Sequence, residues 1–158
     1  MSVHTKEVSE FTMRGKVLER VPSYKYLGVW FQENGSWAVQ TESVHAKMNS
    51  ALGTWRPVLR CHHVPVAVRL QLVQALVYTP ALYGAEVWTP TKTELNKLDT
   101  ICLRAIRCMF GVHKYDCHEE ILFADSGVPP ISVLMKASKL CWLHKMTQMK
   151  PNRFPIAV

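Results

Sequence analysis

The sequence is short of aspartate. Asp99, Asp116 and Asp125 are the only ones, no two are adjacent, and Glu119-Glu120 is the single acidic doublet. Phosphoryl transfer through two metal ions needs several carboxylates converging on the cations. Successive helix positions point about 100° apart, so the doublet does not aim two carboxylates at one ion. A polymerase or nuclease centre contained in this chain is not expected, and no catalytic residue is assigned. Long apolar runs are missing as well. Arg69, Gln71 and Gln74 interrupt the longest one, well short of the roughly 20 residues that cross a bilayer. The first ten residues hold no hydrophobic signal core and contain Glu7 and Glu10, which organellar presequences avoid. The expectation is a soluble, intracellular chain without a transmembrane segment, its compartment open between nucleus, cytoplasm and mitochondrion.

Paired cysteine motifs are the third absence. Cysteines at 61, 102, 108, 117 and 141 are odd in number and scattered, which reads as reduced thiols and not as a disulfide framework. Cys61-His62-His63, Cys117-His118 and the Cys141–His144 step each offer part of a metal site. None makes a CxxC pair or the spaced Cys₂His₂ array of structural zinc. No metal or cofactor is expected, and no local signature marks a cysteine nucleophile with a histidine base.

What is present is apolar residue and positive charge. Hydrophobic residues make up 48% of the chain, enough for a real core. The formal net charge of +7 asks for an anionic partner, nucleic acid being the commonest and an acidic protein surface the alternative.

Patterning divides the chain into a short β element over 1–35, a helical bundle over 36–150 and an extended tail over 151–158. Phe11-Thr12-Met13 and Val17-Leu18 flank Gly15 as a hairpin would. Tyr24 to Phe31 reads as one aromatic strand closed by Asn34-Gly35-Ser36. Ser36 is an N-cap candidate for a helix whose face is Trp37, Thr41, Val44, Met48, Ala51, Leu52 and Trp55, both tryptophans expected in the core. Pro57 should end or kink that helix. A helix starting at Pro65 is apolar almost all round through Val77, which predicts a central position, with Gln71, Gln74 and Tyr78 as its one polar stripe. Pro80 then kinks the path. Thr93 is the candidate cap of a third helix with Leu95, Leu98, Cys102, Ala105, Ile106 and Met109 on its apolar side and Gly111 as its stop. A short segment near 119–124 and a helix over roughly 131–146 complete the bundle. The fold class expected is mainly α with a small N-terminal β element.

The polar side of the third helix carries Lys97, Arg104 and Arg107, which project together, and Lys114 follows the stop. Such cations can track a phosphate backbone, each displacing condensed counterions. Arg56 and Arg60, with His62 and His63, form a second basic cluster at a turn between helices. These six cations are the candidate nucleic-acid-binding residues.

The order of segments resembles the palm-end and thumb region of reverse transcriptases from non-LTR retrotransposons. Ser23-Tyr24-Lys25-Tyr26-Leu27-Gly28-Val29 is similar to the strand that follows the family's catalytic part. Leu76-Val77-Tyr78-Thr79-Pro80-Ala81-Leu82-Tyr83-Gly84-Ala85-Glu86-Val87-Trp88 resembles a helix of the family. Leu98-Asp99 with Arg104-Ala105-Ile106-Arg107, and then Gly127-Val128-Pro129-Pro130, resemble the two steps after it. The likeness spans roughly residues 11–147. It implies a sheet edge followed by a thumb-like helical bundle that grips an RNA or RNA–DNA duplex, with the palm aspartates lacking. Met1 just ahead of this stretch, and the end just after it, suggest a separate reading frame: an artificial or degenerate piece of an element, or, as favoured, a fragment recruited to a new role. A ribonucleoprotein such as a ribosome, including a mitochondrial one, is a natural host. The alternative is an accessory subunit of a protein complex without nucleic-acid contact, burying apolar residues near Trp30, Phe31 and Trp88 against its partners.

Overall fold

The computed structural model describes residues 11–149, so the expected tail over 151–158 lies outside the described residues. Two antiparallel hairpins come first, β1 (Thr12–Met13) with β2 (Lys16–Val17) and β3 (Ser23–Tyr26) with β4 (Val29–Gln32). Helices follow: α1 (Ala38–Arg60), α2 (Val66–Leu72), a π-helical turn (Val73–Tyr78), α3 (Thr79–Leu82), α4 (Lys92–Phe110), α5 (Glu119–Ser126) and α6 (Ile131–Thr147). The fold is mainly α with a small N-terminal β element, as the patterning predicts.

The first hairpin turns at Arg14-Gly15, both with positive φ. The aromatic stretch from Tyr24 is not one strand but a second hairpin. Leu27 (φ 46°) and Gly28 (φ 87°) form a two-residue turn with both central residues left-handed, the geometry that matches strand twist. Leucine is a poor choice for that conformation, so the turn carries no local sequence signal. Tyr83 holds it: its hydroxyl donates to the Leu27 carbonyl at 2.8 Å. A Cβ at position 28 would stand 3.0 Å from the Tyr83 ring. Gly28→Ala is therefore expected to destabilise the protein by about 2 kcal/mol, from left-handed strain plus the displaced ring, read as a lower urea midpoint. A shift below about 0.5 kcal/mol would show that the turn relaxes freely.

Two glutamines dock this hairpin on α1. The Trp30 N–H donates to Oε1 of buried Gln40 at 3.0 Å, and the Val39 N–H donates to Oε1 of Gln32 at 3.1 Å. Helix α1 starts at Ala38, whose N–H reaches the Ser36 hydroxyl at 3.2 Å, so Ser36 serves the helix start from one residue ahead of the N-cap position held by Trp37. Val44, Met48, Leu52 and Leu59 are its buried apolar residues. Trp37 packs partly buried against the core, but Trp55 is exposed, contrary to expectation. The helix continues through Pro57 to Arg60.

Helix α2 is not wrapped on all sides. Val66 and Val68 are exposed while Arg69, the one charged residue in the run, is buried. The π turn that follows inserts extra residues into the helical phase, so Tyr78 leaves the Gln71–Gln74 stripe and points into the core at 1% exposure. Pro80 sets the wide turn, since its ring would clash with the carbonyl four residues back in an ordinary helix. The Thr79 hydroxyl also donates to the Gln74 carbonyl, at 3.2 Å. Beyond Leu82 the chain runs in turns and not as a helix. Trp88 is fully buried, its indole N–H donating to the Tyr83 carbonyl at 3.3 Å.

Helix α4 is the spine. Its cap is Thr91 and not Thr93: the Thr91 hydroxyl accepts from the Glu94 N–H, and the Glu94 carboxylate accepts from the Thr91 N–H. The Thr-x-x-Glu spacing satisfies two end donors at once, which Thr93 does not offer. Leu98, Ile101, Cys102 and Ala105 face the main core with α1, the π turn, Trp88, Ile131 and Met135. Leu103 and Ile106 form a second cluster with Leu122 of α5. Gly111, left-handed at φ 72°, stops the helix. The Asp99 carboxylate accepts from the Ser132 N–H at 3.2 Å and so fixes the start of α6.

Candidate nucleic-acid interface

Helices α1 and α4 lie parallel. Arg104 of α4 donates to Asn49 Oδ1 of α1 at 3.2 Å, and the Cys108 thiol points to the Arg56 carbonyl at 3.9 Å. Nη1 of Arg69 reaches the Leu59 carbonyl at 3.0 Å and the Met109 carbonyl at 2.6 Å. These contacts advance in the same sense along both helices, so the two C-termini end side by side.

That arrangement has an electrostatic cost. Each helix C-terminus carries roughly half a negative charge in its unpaired carbonyls, and two of them together repel. Arg69 answers it from inside. It is 5% exposed and spans the last carbonyls of both helices, with its Nε left without a partner. In the sequence Arg69 stands only as a break in an apolar run.

On the outer side of the same helix ends is a cleft of about 640 Å³. Arg56 and Arg60, one turn apart on α1, form one wall; Arg104 and Arg107, three apart on α4, form the other. The turn after α1 contributes His62, and the loop after Gly111 contributes His113 and Lys114. Among the described residues, five permanent cations line the cleft and no carboxylate does. The two basic clusters that look separate in sequence thus share one space. Lys97 and His63 are not among the lining residues, although Lys97 shares the α4 face. Asn49, Gly53, Cys108 and His113 also line it and carried no signal in the sequence beyond the proximity of His113 to Lys114.

The charge exceeds what the fold uses. Two helix ends amount to roughly one negative charge, and buried Arg69 already offsets about that much. Glu119 approaches Arg107 only at 3.9 Å and is mostly exposed, so it screens weakly. Arg107 itself is largely buried, with 12% of its side chain exposed and its Nε without a hydrogen-bond partner. Among the described residues, Arg56, Arg60 and Lys114 make no ion pair. Five cations held this close, with little counter-charge, suit an anion with several phosphate-like oxygens.

The other chemistry considered in the sequence is dispersed. Asp99 caps α6, Asp116 accepts from the His113 N–H at 2.9 Å, and Asp125 lies on exposed α5 surface. No group of three or more metal-ligating side chains converges among the described residues. The described cysteines are free, with Cys102 buried and Cys141 exposed. Burial pushes the Tyr78 hydroxyl well above its ordinary range, and the neighbouring Cys102 thiol and Asp99 raise it further. Burial likewise pushes the Cys102 thiol up, so neither group ionises near neutral pH. The Tyr78 hydroxyl has no hydrogen-bond partner of good geometry, and this pair belongs to the core.

No helix among the described residues is long and apolar enough to cross a membrane. Neither a protein-family model, nor a curated protein, nor a solved structure matches this chain.

Proposed function

We propose that this chain is a non-catalytic module, derived from a reverse-transcriptase thumb, that holds RNA or an RNA–DNA duplex through its phosphates. Its seat is the cationic cleft between the C-terminal halves of α1 and α4. The observation that carries the reading is five cations with little counter-charge, four of them arginine, drawn from two helices and a loop into one space. Arginine presents a planar fork that matches phosphate oxygens two at a time. The order of motifs from Tyr24 to Pro130 supports the origin, and the scatter of the aspartates supports a binding role without catalysis. Such a module would serve as a subunit of a ribonucleoprotein such as a ribosome.

Binding through phosphates releases counterions, so affinity must fall with salt. Five contacts at a log–log slope of about −0.7 to −0.9 each predict a loss of about 100- to 500-fold between about 50 and 200 mM salt, with little sequence preference. Filter binding or fluorescence anisotropy on a structured RNA reads this directly. A flat salt response, or no binding at low salt, overturns the proposal.

The competing reading is a protein-interaction subunit without nucleic acid. Trp88 itself is fully buried and Trp30 half-buried, but around them Phe31, Tyr24, Tyr26, Leu27, Tyr83 and Val87 are exposed, as an apolar docking face would require. Co-migration of the native protein with an RNA-free complex would favour that reading over the first.

A further inference from the structure

The cations of the cleft gather at a point and do not extend along a line. On α4, the face that carries Arg104 and Arg107 continues one turn back to uncharged Thr100, and Lys97 beyond it lies outside the cleft. On α1, the lining residues behind Arg56 are Gly53, Leu52 and Asn49, none charged. A continuous nucleic-acid backbone needs cations spaced along its track, because it carries about one charge per nucleotide. A knot of cations suits a compact polyanion better.

The charge balance points the same way. The lining holds five permanent cations, and Glu119 beside Arg107 screens only weakly. A terminal phosphate carries up to about two negative charges, and each inner phosphate about one, so a triphosphate carries about four. Two nucleotides of backbone in the same space bring about two and leave the rest unmatched. A volume of about 640 Å³ falls in the range of small-ligand sites.

Gly53 is the second observation. It sits inside α1, where glycine costs about 1 kcal/mol against alanine. Among the described residues nothing lies within 4 Å of where its Cβ would stand, so no packing there requires the side chain to be absent. What the glycine leaves open is the cleft it lines, where a ligand can approach the helix backbone closely.

We infer that the cleft takes a triphosphate group, borne by the 5′ end of an RNA or free in solution, seated between the arginines of α1 and α4 and over Gly53. This rests on reading the cleft as a phosphate site and specifies which phosphates it prefers.

The test compares one hairpin RNA carrying either a 5′-triphosphate or a 5′-hydroxyl, with inorganic tripolyphosphate as competitor and orthophosphate as its control. Alkylation of Cys108, half-buried in the cleft, serves as a footprint read by mass spectrometry against exposed Cys141. The triphosphate RNA is expected to bind at least tenfold more tightly. Tripolyphosphate, and not orthophosphate, should compete with it and slow alkylation of Cys108 alone. Gly53→Glu, which puts a carboxylate on the cleft floor at a position free for a side chain, should erase the preference, and Arg56→Gln should reduce it. If the two RNAs bind within twofold, with salt dependence intact and Cys108 unprotected by tripolyphosphate, the inference fails while backbone binding stands. If tripolyphosphate protects Cys108 and neither RNA binds, the site takes free polyphosphate and the RNA reading is the one that fails.

Discussion

Reversing Arg104 and Arg107 together to glutamate is expected to weaken binding of structured RNA by about 100-fold or more, for every sequence tried. The change takes the permanent charge of the cleft from five to one, since two cations go and two anions arrive. Charge-assisted hydrogen bonds contribute about 1.5 kcal/mol or more each, and losing two corresponds to at least about 100-fold in affinity. Arg107 is largely buried and its replacement would stand near Glu119, so the double variant also risks some stability. Arg56→Glu with Arg60→Glu, on the opposite wall and both exposed, avoids that risk and should give a loss of similar size. The charge-matched control is Lys136→Glu with Lys145→Glu on α6, exposed and outside the cleft. If that control weakens binding as much as either cleft pair, net charge and not the cleft governs affinity.

Arg69→Met is expected to cost about 3 kcal/mol of stability, measured from the urea midpoint at unchanged slope. Methionine keeps most of the alkyl volume but leaves the Leu59 and Met109 carbonyls unpaired in a buried place. That is a large part of the roughly 5–15 kcal/mol by which a domain of this size is stable. Because Arg69 ties the two helix ends that carry the cleft walls, RNA affinity should fall as well, under conditions where the variant remains folded. Arg69→Lys should recover part of the stability, since one ammonium can serve a carbonyl but lacks the planar fork. A change below about 1 kcal/mol for the methionine variant would mean that water or the backbone satisfies both carbonyls.

Local chemistry made much of this protein legible. The apolar side of α4 follows directly from the spacing of Leu98, Cys102, Ala105, Ile106 and Met109, and Gly111 marks its end through its own conformational freedom. The departures from local preference share a cause. Leu27 sits in a left-handed turn that its own side chain disfavours, and a distant tyrosine holds it there. Tyr78 turns inward because Pro80, two residues on, widens the helix ahead of itself. In each case a tertiary contact or a change of helical phase overrode a local preference.

The cleft divides in the same way. That residues 56 and 60 share a helix face, and that 104 and 107 share another, is set by 3.6-residue periodicity and was determined by the sequence alone. Which of the basic residues meet was not. The parallel packing of α1 on α4 decided it, bringing two helix C-termini together and leaving Lys97 and His63 outside. Periodicity specifies the direction of a side chain from its own axis, whereas the distance between two axes depends on how apolar faces from the whole chain pack. Arg69 states that difference most plainly: in sequence it is a flaw in an apolar run, and in the fold it is the bond between the two helices whose ends form the cleft.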